Sequence, residues 1–171
     1  SQTVSDFLDY ARPRQPQQDR VDIGNTLRDV LAFLEPEIAA RGVSVVVSLD
    51  TESGGASLYT LGDKDFLYRA FYNILMNSIQ AMGGEGKVSV SAMVTVSASG
   101  KFLELSFADT GPGFPEDRER ILDPFVTTKD GGTGLGLPIV SNIITSHGGE
   151  LYLEDAPGGG ALVRVLLPFA G

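Results

Sequence analysis

Apolar positions at helical spacing predict two long helices in the first half of the chain. Over residues 23–41 they recur at intervals of three and four, and Gly42 follows as a stop. Residues 63–82 repeat the pattern. The apolar positions are Ile23, Leu27, Val30, Leu31, Leu34 and Ile38 in the first helix, and Leu67, Ala70, Phe71, Ile74, Leu75, Ile79 and Met82 in the second.

A run of β-branched residues and a later alternation of apolar and polar residues predict strands between and after these helices. Residues 43–49 are rich in valine, and residues 88–96 place Val88, Val90, Ala92, Val94 and Val96 on one face. The segment "SASGK" turns this strand into a second one over 102–109, which predicts a hairpin. Strands at 150–155 and 161–167 close the chain around "APGGG", and "TESGGAS" predicts an earlier turn.

A third helix is predicted to begin near Gly134 and to run to His147, Gly148 and Gly149. Residues 110–133 before it are typical of a loop, with a short helix near 116–122. Three helices and a mixed, mostly antiparallel sheet predict an α+β fold, a two-layer sandwich. Residues 1–18 begin as an amphipathic helix, end in two prolines and resemble a linker, which leaves 19–171 as the domain.

Composition narrows the class of protein. The 171 residues are 42% hydrophobic and 20% charged, which is typical of a soluble globular domain. A formal net charge of -9 argues against nucleic acid as a partner, so any polyanion needs a local binding device. The absence of cysteine excludes disulfides and thiolate metal sites. No apolar run is long enough to span a membrane.

Asn73 and Asn77 lie four positions apart, so their amides share one stripe of the second helix, alongside Arg69 and Gln80. Asparagine is a poor residue for a helix interior. One interpretation is a solvated polar face. The other is a binding site in which one amide oxygen ligates a hard cation such as Mg²⁺ and the other amide contacts a phosphate.

Asp109 shares its strand parity with Leu103, Leu105 and Phe107, so its carboxylate is predicted to point toward the core. It could cap the turn "DTGPG" through an Asx hydrogen bond. Alternatively, its carboxylate could accept a hydrogen bond from a ligand. Glycines at 111 and 113 would then let a flat molecule approach the backbone.

Gly132, Gly134 and Gly136 precede and open the third helix, whose first backbone N–H groups have no partner within the helix. One interpretation is an anion-binding site, which a helix N-terminus that follows a glycine-rich loop can form. The alternative is a glycine hinge that binds no ligand. His147, the only histidine, is predicted to be structural, with partial positive charge at the helix C-terminus and Gly148 as the left-handed stop.

Taken in order, the segments "NILMNSIQAM" (73–82), "DTGPGF" (109–114), "DPFVTTK" (123–129) and "GTGLGLPIV" (132–140), followed by "HGG" and "PGGGALVRVLLP", form a specific combination. It resembles the ATP-binding catalytic domain of bacterial sensor histidine kinases, in the GHKL superfamily with its Bergerat fold. The segments resemble that family's N box, first glycine box, F box and second glycine box. The nitrogen-regulation type is the most similar. The resemblance covers about 20–168, and 1–18 resemble the end of the dimerisation helix.

The resemblance implies ATP and Mg²⁺ as ligands. Asn77 would ligate the metal, Asn73 would contact the phosphates or the metal shell, and Asp109 would accept the adenine amino group. The remaining positions implied at the nucleotide are Gly111, Gly113, Phe125, Lys129, Gly132, Thr133, Gly134, Leu135 and Gly136. Residues 114–133 would form a lid anchored by Phe125. Where the family often has Thr or Ser after the last glycine run, this chain has Ala161, which removes a hydroxyl near the adenine.

The hydrolysing branch of the superfamily carries a Glu four residues before the metal-binding Asn, whereas this chain has Asn73 there. An amide cannot accept a proton from water near neutral pH, so transfer of the γ-phosphoryl to a protein side chain is expected, with slow hydrolysis.

The implied partners are a histidine-bearing dimerisation domain and a response regulator. We expect a monomeric, cytoplasmic domain, which a membrane-anchored kinase could carry. The alternatives are a GHKL serine kinase of the anti-sigma-factor type and a degenerate, non-catalytic binding module.

Overall fold

The computed structural model describes residues 18–49, 58–122 and 136–171. Its strands are β1 (Asp19–Asp22), β2 (Val43–Leu49), β3 (Tyr59–Gly62), β4 (Gly86–Ser97), β5 (Gly100–Asp109), β6 (Glu150–Asp155) and β7 (Ala161–Pro168). Its helices are α1 (Ile23–Arg41), α2 (Lys64–Ala81) and α3 (Gly136–Ser146), with a 3₁₀ turn at Arg118–Leu122. The predicted linker over 1–18 and the turn "TESGGAS" fall outside the described residues, apart from residue 18.

Five strands form one mixed sheet in the order β2-β4-β5-β7-β6. β2 runs parallel to β4, and the other neighbouring pairs are antiparallel. Alternate residues of the three central strands are buried together with the apolar residues of the helices. These strand residues are Val88, Val90 and Ala92 of β4, Leu103, Leu105 and Phe107 of β5, and Val163, Val165 and Leu167 of β7. The predicted two-layer α+β sandwich is therefore confirmed.

The five apolar positions predicted for one face of β4 differ in burial. Val88, Val90 and Ala92 are buried, whereas 72% of Val96 near the end of the strand is exposed. Shared parity therefore gives a common face but does not bury every side chain on it.

A small second sheet pairs β1 with β3, antiparallel, with Asp22 opposite Tyr59. Neither strand was predicted from the sequence, because four residues are too few to show a period. Each leads directly into a helix. Asp22 caps α1 by accepting a hydrogen bond from the backbone N–H of Asn25, and Asp63 caps α2 by accepting from Asp65 and Phe66.

The helix ends follow the predicted chemistry. Gly42 ends α1 in the left-handed conformation, at φ 67°, and Gly148 follows α3 at φ 74°. At α3 the N–H of Gly149 donates to the carbonyl of Ile144, and that of Gly148 to the carbonyl of Thr145. This pair of hydrogen bonds is the Schellman motif. Among the described helices, none combines the length and the apolar character that a membrane crossing needs.

Candidate functional site

The two asparagines of α2 lie in different surroundings. Asn73 is only 8% exposed, and its Nδ2 has no hydrogen-bond partner among the described residues. Asn77, one turn later, is half-buried, whereas Gln80 is exposed. The interpretation as a solvated polar face is therefore wrong for Asn73. A buried amide donor without a partner is costly unless a ligand or water satisfies it.

Asn77 faces the start of α3. A Cβ placed on Gly136 would lie 3.5 Å from Asn77 Nδ2 and 3.8 Å from its Oδ1. The structure thus brings this amide to a helix N-terminus, where backbone N–H groups have no intrahelical partner. Pro138 in the first turn is buried and lacks an N–H, so it leaves no donor unsatisfied.

Asp109 ends β5 with its carboxylate buried, at 4% exposure. Its Oδ1 accepts hydrogen bonds from the backbone N–H of Gly111 at 3.0 Å and of Ala161 at 3.1 Å. The first bond is the Asx turn that the sequence allowed, and the second joins β5 to the start of β7. Oδ2 accepts no hydrogen bond from the described residues, so one oxygen of the carboxylate is held and the other is available.

Glycines are required on both sides of this carboxylate. Gly160 has φ 98°, and a Cβ there would lie 1.9 Å from the carbonyl oxygen of Asp109. Gly113 has φ 83°, and its Cβ would lie 3.4 Å from the carbonyl oxygen of Gly160. The first glycine box therefore packs against the last glycine run, backbone to backbone. Gly160 was not among the predicted site residues, although the run "GGG" pointed to a close approach.

Thr110 connects this box to the end of α2. The Thr110 hydroxyl accepts a hydrogen bond from the backbone N–H of Lys87 at 3.0 Å, and the backbone N–H of Thr110 donates to the Lys87 carbonyl. The same hydroxyl contacts the Met82 sulfur at 3.7 Å. Met82 Cγ would also lie 3.2 Å from a Cβ on Gly111. The sequence analysis missed these contacts, because they depend on the pairing of β4 with β5.

The segment that follows the first glycine box contacts the edge strand β6. Arg118 donates a 2.9 Å hydrogen bond to Asp155 and lies over the ring of Phe114, 6.0 Å from its centroid. The predicted short helix near 116–122 is present as the 3₁₀ turn at 118–122.

Six predicted site residues fall outside the described residues and stay predictions: Phe125, Lys129, Gly132, Thr133, Gly134 and Leu135. The other six lie on α2, at the start of α3 that faces it, and in the first glycine box. They are Asn73, Asn77, Asp109, Gly111, Gly113 and Gly136. The region contains amide and carboxylate groups rather than an acidic metal cluster, since no group of three His, Cys, Asp or Glu suited to a metal occurs in the described ranges.

His147 lies just after the end of α3, and both of its ring nitrogens have partners. It is buried, its Nε2 accepts a 3.0 Å hydrogen bond from the backbone N–H of Asp63, and its Nδ1 lies 2.8 Å from the carbonyl oxygen of Ile143. Because a backbone N–H can only donate, Nε2 must be unprotonated, and the single ring proton is on Nδ1. The ring itself is neutral, and the partial positive charge at the helix end is that of the Nδ1–H group, which donates to the Ile143 carbonyl. The predicted structural role of the residue is consistent with this geometry.

Residues 62–171 match the protein family described as histidine kinase-, DNA gyrase B- and HSP90-like ATPase. The sensor histidine kinase ZraS of Klebsiella oxytoca is 33% identical over 172 residues, covering 100% of this chain and 36% of ZraS. The nitrogen regulation protein NtrY of Azorhizobium caulinodans is 34% identical over 180 residues, covering 98% of this chain and 22% of NtrY. The chain thus spans about a third or less of the length of these curated relatives.

Solved structures agree in fold. The nucleotide-free catalytic domain of the histidine kinase ThkA superposes with a TM-score of 0.79 at 27% identity, covering 90% of this chain and 96% of that domain. Full-length ShkA, solved in complex with AMPPNP, superposes at 0.81 with 28% identity, covering 99% of this chain and 35% of ShkA. The chain therefore belongs to the histidine kinase-, DNA gyrase B- and HSP90-like ATPases, as an ATP-binding catalytic domain of the sensor histidine kinase type.

Proposed function

We propose that this domain binds ATP between α2, the first glycine box and the start of α3, and transfers its γ-phosphoryl group to a histidine of a separate dimerisation domain. The arrangement of Asp109 carries the proposal. A buried carboxylate with one oxygen held by two backbone donors and one oxygen available is an acceptor prepared for a ligand N–H group. The adenine amino group is such a donor. ShkA, of the same fold, has been solved with the ATP analogue AMPPNP.

The phosphates would lie at the other end of the site. Asn73 Nδ2 is a buried donor without a partner among the described residues, and the α3 start at Gly136 supplies further donors. An anion there would satisfy both. These donors are neutral amide groups. They would allow a chain whose net charge is -9 to bind an anion without cationic side chains.

Mg²⁺ fits the donor chemistry of this region. Asn77 offers an amide oxygen, a ligand that Mg²⁺ accepts, and phosphate oxygens and water supply the remaining positions in many nucleotide sites. When bound, the ion would neutralise phosphate charge. Asn77 would hold it, and Asn73 would contact the phosphates beside it.

The phosphoryl acceptor has to come from elsewhere. His147 is the only histidine of the sequence, it is 6% exposed, and both of its ring nitrogens are engaged. In the reaction, a nitrogen of an incoming imidazole forms a bond to the γ-phosphorus, the bond to the β–γ bridging oxygen breaks, and ADP leaves. The domain contributes positioning and charge stabilisation. In the intact kinase we expect the phosphoryl group to pass on to an aspartate of a response regulator.

Asn73 favours transfer to protein over hydrolysis. A general base for water would have to be a proton acceptor, and an amide is not one near neutral pH. The purified domain should therefore hydrolyse ATP much more slowly than once per minute. Several turnovers per minute would contradict this part of the proposal.

The experiment that tests the proposal supplies the acceptor separately. The purified chain is incubated with Mg²⁺ and γ-labelled ATP, together with a dimerisation helix pair from a related sensor kinase, either intact or with its histidine changed to Gln. We expect acid-labile label on the intact helix pair alone. Label on a serine of a partner protein would favour the serine-kinase alternative. An absence of ATP binding by calorimetry would favour the binding module.

A further inference from the structure

His147 connects the two helices that form the phosphate end of the site. Its ring accepts from the backbone N–H of Asp63, the residue that caps α2, and donates from Nδ1 to the carbonyl of Ile143 in the last turn of α3. The ring is 6% exposed, and these two bonds use both of its nitrogens.

The His147 ring packs directly against Gly62, the last residue of β3. A Cβ on Gly62 would lie 2.2 Å from His147 Cδ2 and 2.6 Å from His147 Nε2. No side chain can occupy position 62 while the ring keeps its place. Gly62 and His147 are therefore one structural unit, although they lie far apart in the sequence.

The two helices run in opposite directions past each other. His147 follows the end of α3 and contacts the start of α2, while Asn77 in the second half of α2 faces Gly136 at the start of α3. Asn73 and Asn77 follow Asp63 by ten and fourteen positions, about 15 and 21 Å along the helix axis. A contact at one end of such a helix pair determines how the other end is aligned.

We propose that His147 is a positioning residue for the nucleotide site: its neutral ring fixes the start of α2 to the end of α3, and so aligns Asn73 and Asn77 with the helix start at Gly136. This inference rests on the proposed function. An apolar side chain could fill the same volume, but only a directed hydrogen bond between the end of α3 and the start of α2 specifies one alignment of the two helices.

The two hydrogen bonds can be separated by substitution. In His147→Gln the amide oxygen can reach the position of Nε2 and accept from Asp63, whereas in His147→Asn the shorter amide replaces only Nδ1 and donates to Ile143. Both remove the ring. If alignment acts through Asp63, His147→Gln keeps the Mg²⁺-dependent affinity for ATP near that of the wild type, and His147→Asn weakens it about tenfold or more.

Two readouts distinguish alignment from general stability. The free energy of unfolding of each variant is compared with that of Leu34→Ala, which opens a cavity in the core at a residue of α1 and changes no residue of α2 or α3. In nucleotide-free protein, ¹H–¹⁵N spectra record the Gly136 amide and the Asn77 side-chain amide. We expect these two signals to move in His147→Asn and to stay in His147→Gln and Leu34→Ala. A ring ¹⁵N spectrum of the wild type should show the Nδ1–H tautomer.

Gly62→Ala provides an independent test, because its methyl group displaces the ring without changing it chemically. The Gly62→Ala variant should move the same two signals, and adding His147→Ala should cause little further change, since the ring is already displaced. Unmoved signals in both His147→Asn and Gly62→Ala would overturn the inference. The spectra decide this even if the wild type fails to bind ATP, a result that would contradict the proposed function alone.

Discussion

Ala161 and Asp109 lie 52 positions apart, yet the backbone N–H of Ala161 donates a 3.1 Å hydrogen bond to Asp109 Oδ1. This bond holds the carboxylate in one orientation, together with the N–H of Gly111. Ala161 lacks the hydroxyl that the resemblance to the family leads one to expect at this position. In the structure the position contributes through its backbone, which any residue but proline could supply.

Asp109→Asn should change which nucleotide base is preferred. The amide oxygen can take over the bonds to Gly111 and Ala161, which leaves an NH₂ donor where the available oxygen was. Affinity for ATP should fall by about 1–3 kcal/mol, because an adenine amino group would then meet a donor. Calorimetry with ATP and GTP measures this, with thermal unfolding as the control for folding. An unchanged preference for ATP would remove Asp109 from the adenine site.

Gly160→Ala should be far more damaging than Gly159→Ala. Both glycines have positive φ, at 98° and 104°, so each substitution carries a backbone cost of about 1–2 kcal/mol. A Cβ on Gly159 meets nothing within 4 Å, whereas one on Gly160 meets the Asp109 carbonyl oxygen. Denaturant unfolding gives the two stabilities, and ATP binding should suffer only in Gly160→Ala. Equal losses in both variants would mean that the close approach to Asp109 does not matter.

Asn77→Ala should remove the dependence of ATP binding on Mg²⁺. The amide oxygen is the ligand that we assign to the ion, and alanine offers none. Gln80→Ala is the matched control, because Gln80 is an amide on the same helix that is exposed. ATP affinity is measured with Mg²⁺ and with EDTA. If Asn77→Ala kept the wild-type difference between the two conditions, the metal assignment would be wrong.

Acid should weaken the contribution of the Glu154–Arg164 ion pair. The Arg164 guanidinium, bonded to Glu154 at 3.0 Å and 3.2 Å, lowers the pKa of that carboxyl below its usual value. The pair therefore stabilises the fold above about pH 4.3, the usual pKa of an unfolded Glu, and this contribution is lost as the pH falls through the lowered folded pKa.

The test is the loss of unfolding free energy in Glu154→Gln. It should be below about 1 kcal/mol at pH 7, because the pair is partly exposed, and it should shrink toward pH 3. Glu35→Gln is the control, since Glu35 is exposed and forms no ion pair among the described residues. A loss that grew toward acid would reverse the assigned sign.

The elements with a long period were predictable from the sequence. α1 was predicted at its observed bounds, because its apolar positions recur over five turns that end at Gly42. Asp109 was predicted to face the core because it shares parity with Phe107 and Leu105. These inferences depend only on local geometry, which each segment carries in its own residues.

What only the tertiary structure decided is the set of contacts between distant segments. Strand parity predicted that the Asp109 carboxylate faces the core. Only the pairing of β5 with β7 brings the backbone N–H of Ala161 to it as a second hydrogen-bond donor. The helical period placed Asn73 and Asn77 on one stripe, but the tertiary packing buried the first and brought the second to Gly136. His147 was predicted from its helix alone to be structural, and its hydrogen bond to the backbone N–H of Asp63 became visible only in the tertiary structure. The local sequence pattern determines the direction in which a side chain points. Its contact partner comes from a segment that is distant in the sequence, so it depends on how the segments pack together.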